Sequence, residues 1–278
     1  MDKRMKLQIK FDGPFDFEKS LIRDQIPSYL FRRVGRTFVT CIEVLGEDIP
    51  IRLFSDLTFQ ILSREKVEKL KVDGMRSKLT YFFWPEFRLS ELYEKLSRNE
   101  KFKQIIDGNY GMRPLRSYDL DFAIIVSILL QDVSDREIDK ALSMISEIKW
   151  INGIQIFKVK RIRDLMENVE ESKDFPTLYR WLRRMLDKKF DVETLWNKST
   201  EKIVDFFQKC GVNRYNGELI ALYGFGREDA FPIDEEIGNR FNQVFDTSWS
   251  LQEIYQFVKE NFAGYCGAIW LYLRKWWK

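Results

Sequence analysis

The sequence predicts an α+β protein: an antiparallel sheet domain over residues 1–87, then a helical domain over 88–278 with a helix-hairpin-helix at about 199–223. Three observations carry this. The first third alternates apolar and polar residues, the period of a half-buried strand. Beyond Pro85 the apolar residues recur at helical spacing. Gly211-Val212-Asn213 then forms a tight turn between two helical segments, built from the residue types that most readily take a left-handed backbone.

In the first domain Lys6 to Phe11, Phe38 to Val44 and Ile49 to Phe54 alternate, and Leu79 to Trp84 is rich in aromatics, so each reads as a strand. Gly35, Gly46 and Ser55-Asp56 supply turns, and Phe15-Asp16-Phe17 leads into one short helix.

In the second domain Leu89 to Leu96 and Phe102 to Ile106 are helical, and Tyr110 to Arg116 is a loop. Asp119 to Leu130 is the most apolar stretch. It is shorter than the roughly 20 residues that span a bilayer, so it reads as a buried core helix. Gln131-Asp132-Val133-Ser134-Asp135 follows, then a helix from Arg136 to Ile145 that Ser134 or Asp135 can cap. Ile154 to Lys160 alternates like a strand, Arg161 to Val169 reads as helix, and Phe175-Pro176-Thr177 opens another. Ser199 starts the first hairpin helix, with Ile203, Val204, Phe206 and Phe207 as its apolar run. Gly224 and Gly226 stop the second. Pro232 disfavours helix before itself, and Asp234 stands at an N-cap position ahead of Ile237, Phe241 and Val244. The closing helix, Gly264 to about Trp277, carries Tyr265, Trp270, Tyr272, Trp276 and Trp277.

The chain has 278 residues, 45% apolar and 32% charged, as expected of a soluble globular protein. Its charged start, MDKRMKLQIKFDG, is not that of a secretory signal. Cys41, Cys210 and Cys266 are too far apart for a disulfide framework or a metal cluster on spacing grounds. There is no histidine, which excludes Ser-His-Asp triads and most zinc sites and leaves acid–base work to Asp, Glu, Tyr or Lys. A net charge of +3 is small, so nucleic-acid binding requires a local patch. The candidates are Lys158, Lys160, Arg161 and Arg163, and Arg180, Arg183, Arg184, Lys188 and Lys189; each also reads as an ordinary solvated helix face.

Chemistry concentrates between Cys210 and Phe241. A turn that opens a helix offers backbone N–H groups to a phosphate without reading a base. A carboxylate at a helix N-terminus, as at Asp234, gains hydrogen bonds from free N–H groups. Alone it is an ordinary cap; here it follows the hairpin at a fixed distance.

Gly211-Val212-Asn213, the helix after it, and Phe231-Pro232-Ile233-Asp234 together resemble the helix-hairpin-helix DNA glycosylase superfamily, closest to the 3-methyladenine (alkyladenine) DNA glycosylase II type. That family has a G-V-G hairpin and a catalytic aspartate in a V/F-P-x-D context; Asn213 stands where the second glycine is usual. Members that also cleave the strand carry lysine four residues beyond the first hairpin glycine, and this chain has Tyr215 there. The resemblance therefore implies a monofunctional glycosylase for a damaged base in duplex DNA, most simply an alkylated purine, with uracil, hypoxanthine, 8-oxoguanine or a mismatch as alternatives.

The resemblance also assigns roles. Asp234 is the catalytic carboxylate, and Tyr215, Leu219, Trp270 and Leu271 form the base pocket. Gly211, Val212, Asn213 and Arg214 grip the backbone, and Gln131 enters the duplex to fill the gap left by the flipped nucleotide. On its residues alone Gln131 is equally a polar loop residue. A monovalent cation is implied under the hairpin, on the carbonyls of Lys209 and Gly211. No cofactor is required, and the four-cysteine iron–sulfur loop of some relatives is absent. The family's glutamine that reads 8-oxoguanine matches Gly267 here, which argues against that substrate. The partner is damaged duplex DNA and not a membrane, the expected state is a monomer, and the expected location is cytoplasmic or wherever the DNA is. The rival from another class is a non-catalytic binder in which Asp234 only caps its helix.

Overall fold

The computed structural model describes residues 4–275 except 22–24, 64, 99, 135, 152, 169, 171–172 and 189–191. Asp135, Lys189, Trp276 and Trp277, and the side chain of Lys188, lie outside the described residues. Alternation sets the sheet, as expected. β1 (Met5–Lys6), β2 (Arg32–Val34), β3 (Thr37–Val44), β4 (Glu47–Phe54) and β5 (Thr58–Ile61) pair antiparallel in the order β1-β5-β4-β3-β2. The β3–β4 register runs from Thr37 opposite Phe54 to Val44 opposite Glu47. Leu45 and Gly46, with φ of 54° and 78°, make the two-residue turn that the twist of the pair requires. The edge strand β1 is shorter than the alternating run that suggested it. α1 (Phe17–Ser20) starts at Asp16, whose side chain accepts the Lys19 N–H at 2.9 Å.

One expected strand is a helix. Leu79 to Trp84 forms the end of α2 (Lys69–Phe83). Met75, Leu79, Phe82 and Phe83 fall on one helical face and are buried in the sheet's core, so 3.6-residue spacing overrides the β preference of the aromatics. Trp84, at φ 49°, ends that helix.

The helical domain follows as α3 (Leu89–Ser97), α4 (Glu100–Asn109), α5 (Leu120–Asp132) and α6 (Ile138–Ile145). α5 is capped by Asp119 and is buried on all sides from Phe122 to Leu129, which makes it the axis of the helical core. A two-stranded ribbon then appears, of which only the second strand was expected: β6 (Ser146–Ile151) and β7 (Ile154–Val159). It is clamped to the main sheet by ion pairs of Lys158 with Glu43 and Asp48, Lys149 with Asp48, and Arg161 with Glu43. Lys158 and Arg161 of the first basic patch are thereby paired within the protein, and Arg163 pairs with Glu167.

The chain ends with α7 (Ile162–Glu167), α8 (Pro176–Lys188), α9 (Thr200–Lys209), α10 (Arg214–Leu219), α11 (Glu235–Phe245), α12 (Leu251–Asn261) and α13 (Cys266–Lys275). α10 continues as a π turn over Ile220–Gly224. Besides the ribbon's ion pairs, an arginine and a short turn join the domains. Arg113, fully buried, donates to the carbonyls of Asp12, Trp84, Pro85 and Phe87 and so ties the interdomain loop to both flanks. The 3-10 turn Ile26–Leu30 leaves the sheet domain, and its Ile26 is buried in the helical core. No helix among the described residues is long and apolar enough to cross a membrane.

Candidate active site

The hairpin is a helix C-terminus folded into a helix N-terminus. The Cys210 and Val212 N–H groups return to the Phe207 carbonyl at 3.0 and 3.1 Å, and the Gly211 N–H donates to Gln208 O at 2.9 Å. Gly211 is left-handed, with φ 94°, as the turn requires. Asn213 is not: at φ −70° and ψ 164° it is extended and caps α10, its Oδ1 accepting the Asn216 N–H at 2.8 Å. Its presence in place of glycine is explained by capping and not by backbone handedness.

Gln131, at the end of α5, reaches this turn. Its Oε1 accepts the Asn213 N–H at 2.8 Å, and its Nε2 lies 3.4 Å from the Gly211 carbonyl. In this conformation it braces the hairpin. The amides of Gly211 and Asn213, expected to meet a phosphate, are both engaged within the protein, and Val212 is buried. Arg214, expected on DNA, is instead turned inward. It pairs with Glu201 at 3.0 Å and with the buried Glu218 at 3.3 Å, and donates to the Tyr255 hydroxyl at 2.9 Å.

Glu218 had no signal in the sequence beyond its place within an apolar helix. Burial pushes its carboxyl above the ordinary value. It accepts the Phe231 N–H at 3.0 Å and the Tyr255 hydroxyl at 3.0 Å. The segment that delivers Pro232 and Asp234 is therefore hung from α10.

Asp234 caps α11 as expected, its Oδ1 accepting the Ile237 N–H at 2.8 Å. It is half-buried and lines a cavity of about 200 Å³. Tyr215 and Leu219 come to the same cavity from α10, and Trp270 from α13. Leu271, the fourth expected wall residue, is buried in the helical core and does not line it, because it points a different way around α13 from Trp270.

The remaining wall was not anticipated. Ile26 and Tyr29 arrive from the sheet domain, and Leu130, Val133 and Ser134 from the end of α5. Arg274 completes it, one helical turn beyond Trp270. That spacing was the available signal for Arg274; the sheet-domain residues gave none. Arg274 Nη1 donates toward the Tyr215 hydroxyl at 3.4 Å. The Trp270 indole N–H, in a side chain 1% exposed, has no hydrogen-bond partner among the described residues.

Gly267 lies elsewhere. A Cβ there would meet Leu222 Cδ1 at 2.4 Å, so the glycine allows α13 to close on the π turn. It is a packing position, and its lack of a side chain says nothing about which base is read.

A monovalent cation on Lys209 and Gly211 does not fit this arrangement. Arg184 Nη1 donates to the Lys209 carbonyl at 2.8 Å, and the Gly211 carbonyl faces the Gln131 amide. Among the described residues no group of three or more His, Cys, Asp or Glu could hold a metal ion.

No protein-family model and no curated protein matches the sequence. Solved structures do match the fold over nearly the whole chain. A structure of MBOgg1 in complex with a low affinity DNA ligand aligns at TM-score 0.78 and 17% identity, covering 99% of this chain and 98% of the other. The 3-methyladenine DNA glycosylase from Archaeoglobus fulgidus aligns at TM-score 0.77 and 17% identity, covering 98% and 96%. The 8-oxoguanine glycosylase/lyase of Clostridium acetobutylicum in its apo form aligns at TM-score 0.72 and 16% identity, covering 100% and 99%. At such identity the likeness is one of fold, and the expected sheet domain followed by a helical core is the fold these structures share with this chain.

Proposed function

We propose that the protein is a monofunctional DNA glycosylase that takes a damaged base out of duplex DNA into the Asp234 cavity and hydrolyses its N-glycosidic bond. The observation that carries this reading is the meeting of Asp234, Tyr215 and Trp270 in one cavity beside the hairpin. At about 200 Å³ it is smaller than the roughly 300–1,000 Å³ of drug-sized sites and suits a single flat ring system.

Chemistry at the sugar–base bond requires the nucleotide to leave the stack. As the bond breaks, positive charge grows on the sugar and electrons leave with the base. The Asp234 carboxylate stabilises the first or orients water onto it. The Arg274 guanidinium, in the cavity wall, is the donor proposed for the second. The Arg214 N–H, at the start of α10, meets the backbone phosphate. Tyr215 offers no amine, so no Schiff base forms at that position and the strand stays uncut; trapping a covalent adduct with borohydride would contradict this.

Two substrate readings follow from different residues. The aromatic faces of Tyr215 and Trp270 suit an alkylated, cationic purine. Arg274 in the same wall favours a neutral base with carbonyl acceptors, such as 8-oxoguanine, hypoxanthine or uracil. A panel of single-lesion duplexes, with and without alkaline cleavage, separates them.

Asp234→Asn tests the reading itself. Asn is as good an N-cap as Asp, so α11 keeps its start. Excision is expected to fall by about a hundredfold to a thousandfold while duplex binding persists. Unchanged turnover in the variant removes Asp234 from the chemistry, and no excision from any duplex by the parent leaves a DNA binder and removes the enzyme.

A further inference from the structure

The carbonyl of Lys209 closes α9, where the helix carries partial negative charge. Arg184 sits on it, Nη1 to Lys209 O at 2.8 Å, and a Cβ added to Gly211 would lie 3.5 Å from that same nitrogen. The guanidinium therefore rests against the hairpin turn itself. Its helix is held there twice. Asp132 accepts the Thr177 N–H at 2.8 Å, fixing the first turn of α8 to the end of α5. Trp181, one turn before Arg184, is fully buried and stacks on Phe207 of α9 with ring centroids 6.0 Å apart. Trp181 and Arg184, spaced i and i+3, share the face of α8 that meets α9.

We propose that Arg184 supplies, as part of the chain, the positive charge under the hairpin, and that it is a DNA-phosphate ligand of this protein. A guanidinium carries five N–H donors in a rigid plane. One goes to Lys209 O, and the exposed side chain makes no other hydrogen bond among the described residues. The remaining edge matches the bidentate geometry of a phosphate. Its neighbours are occupied differently: Arg183 lies over the Tyr179 ring at 5.8 Å, and Arg180 Nε donates to Pro176 O at 3.1 Å. A fixed arginine makes a diffusible cation redundant, in keeping with the engaged carbonyls. The inference rests on the hairpin being the seat of DNA phosphate.

The test is fluorescence anisotropy with an undamaged duplex, which needs no excision. The full chain, Arg184→Met, Arg184→Lys and Arg183→Met are titrated over a series of ionic strengths, matched between potassium and tetramethylammonium. The parent is expected to bind equally in both salts, within about twofold. Arg184→Met is expected to bind about tenfold more weakly, with a salt slope shallower by about one phosphate contact, while Arg183→Met changes affinity less than about threefold. Arg184→Lys falls between, since an ammonium keeps the charge and loses the fork. Circular dichroism fixes the folded fraction of each variant, so that lost structure is not counted as lost contact. A parent that needs potassium, an Arg184→Met that binds as the parent does, or an Arg183→Met equally weakened overturns the proposal. A parent that binds no duplex removes the hairpin reading as well.

Discussion

Glu218→Ala is the perturbation that most directly asks how Asp234 is held. Glu218 is 1% exposed and receives three donors: the Phe231 N–H at 3.0 Å, the Tyr255 hydroxyl at 3.0 Å and Arg214 at 3.3 Å. Removing it orphans a buried backbone N–H, at about 1–3 kcal/mol. Arg214 and Tyr255 fall back on Glu201, which bonds both at 2.9–3.1 Å, so their share is smaller than if they were stranded. The truncated side chain adds a small cavity. The sum is about 3 kcal/mol, at the low end of the roughly 3–5 kcal/mol for breaking a buried ion pair by removing one partner. Burial that raises the Glu218 carboxyl also says that the intact pair contributes little net stability. Glu218→Gln, which keeps an acceptor for the Phe231 N–H and fills the space, should therefore be milder than the truncation. Urea unfolding followed by circular dichroism measures both. Because Phe231 precedes Asp234 by three residues, excision should also fall by about tenfold or more once the loop loses its tether. A loss below about 1 kcal/mol for Glu218→Ala, or a Glu218→Gln as destabilised as Glu218→Ala, would refute the account.

Burial pushes the Asp121 carboxyl from 3.8 up to about 6. Between those values the folded chain binds a proton that the unfolded chain has released, so this group's contribution to stability declines as pH rises from about 4 to about 6. Asp121→Asn keeps an acceptor for the Ile162 N–H, now at 3.1 Å, and should raise stability by about 1–2 kcal/mol at pH 7 but not at pH 4; urea midpoints that move equally at both would speak against it. Gly267→Ala drives a methyl into Leu222 Cδ1, 2.4 Å away, and should lower stability by about 1–3 kcal/mol. A calorimetric midpoint equal to the parent's would mean that the π turn yields freely.

What could be read in the sequence was local chemistry. Pro232 before Asp234 specifies a helix start with few neighbours consulted, and Gly211 specifies a turn, so both stand where they were expected. The alternation of β3 and β4 needs only the next strand. What could not be read was set by packing at a distance. Leu79 to Trp84 has the composition of a strand, and only its burial against the sheet at helical spacing makes it α2. Tyr29 and Ile26 reach the cavity because a 3-10 turn crosses from one domain to the other, a fact with no trace at those positions. Arg214 and Arg184 are both basic residues near the hairpin. A charge count ranks them alike, whereas Glu201 and Glu218 draw one inward and the Lys209 carbonyl holds the other at the turn.

The end of α5 explains why these parts stay together. Its apolar body is buried, and at Gln131-Asp132 it leaves the core with two polar side chains that each hold another element: Gln131 the hairpin, Asp132 the first turn of α8. Farther back, the Asn216 amide of α10 donates to the Ser127 carbonyl within α5. Beyond Gln131, Val133 and Ser134 form cavity wall. An amide suits position 131 because the hairpin presents both an N–H, from Asn213, and a carbonyl, from Gly211, and only an amide answers both. If Gln131 fills the gap behind a flipped base, as the family resemblance implies, it first has to release the Asn213 N–H.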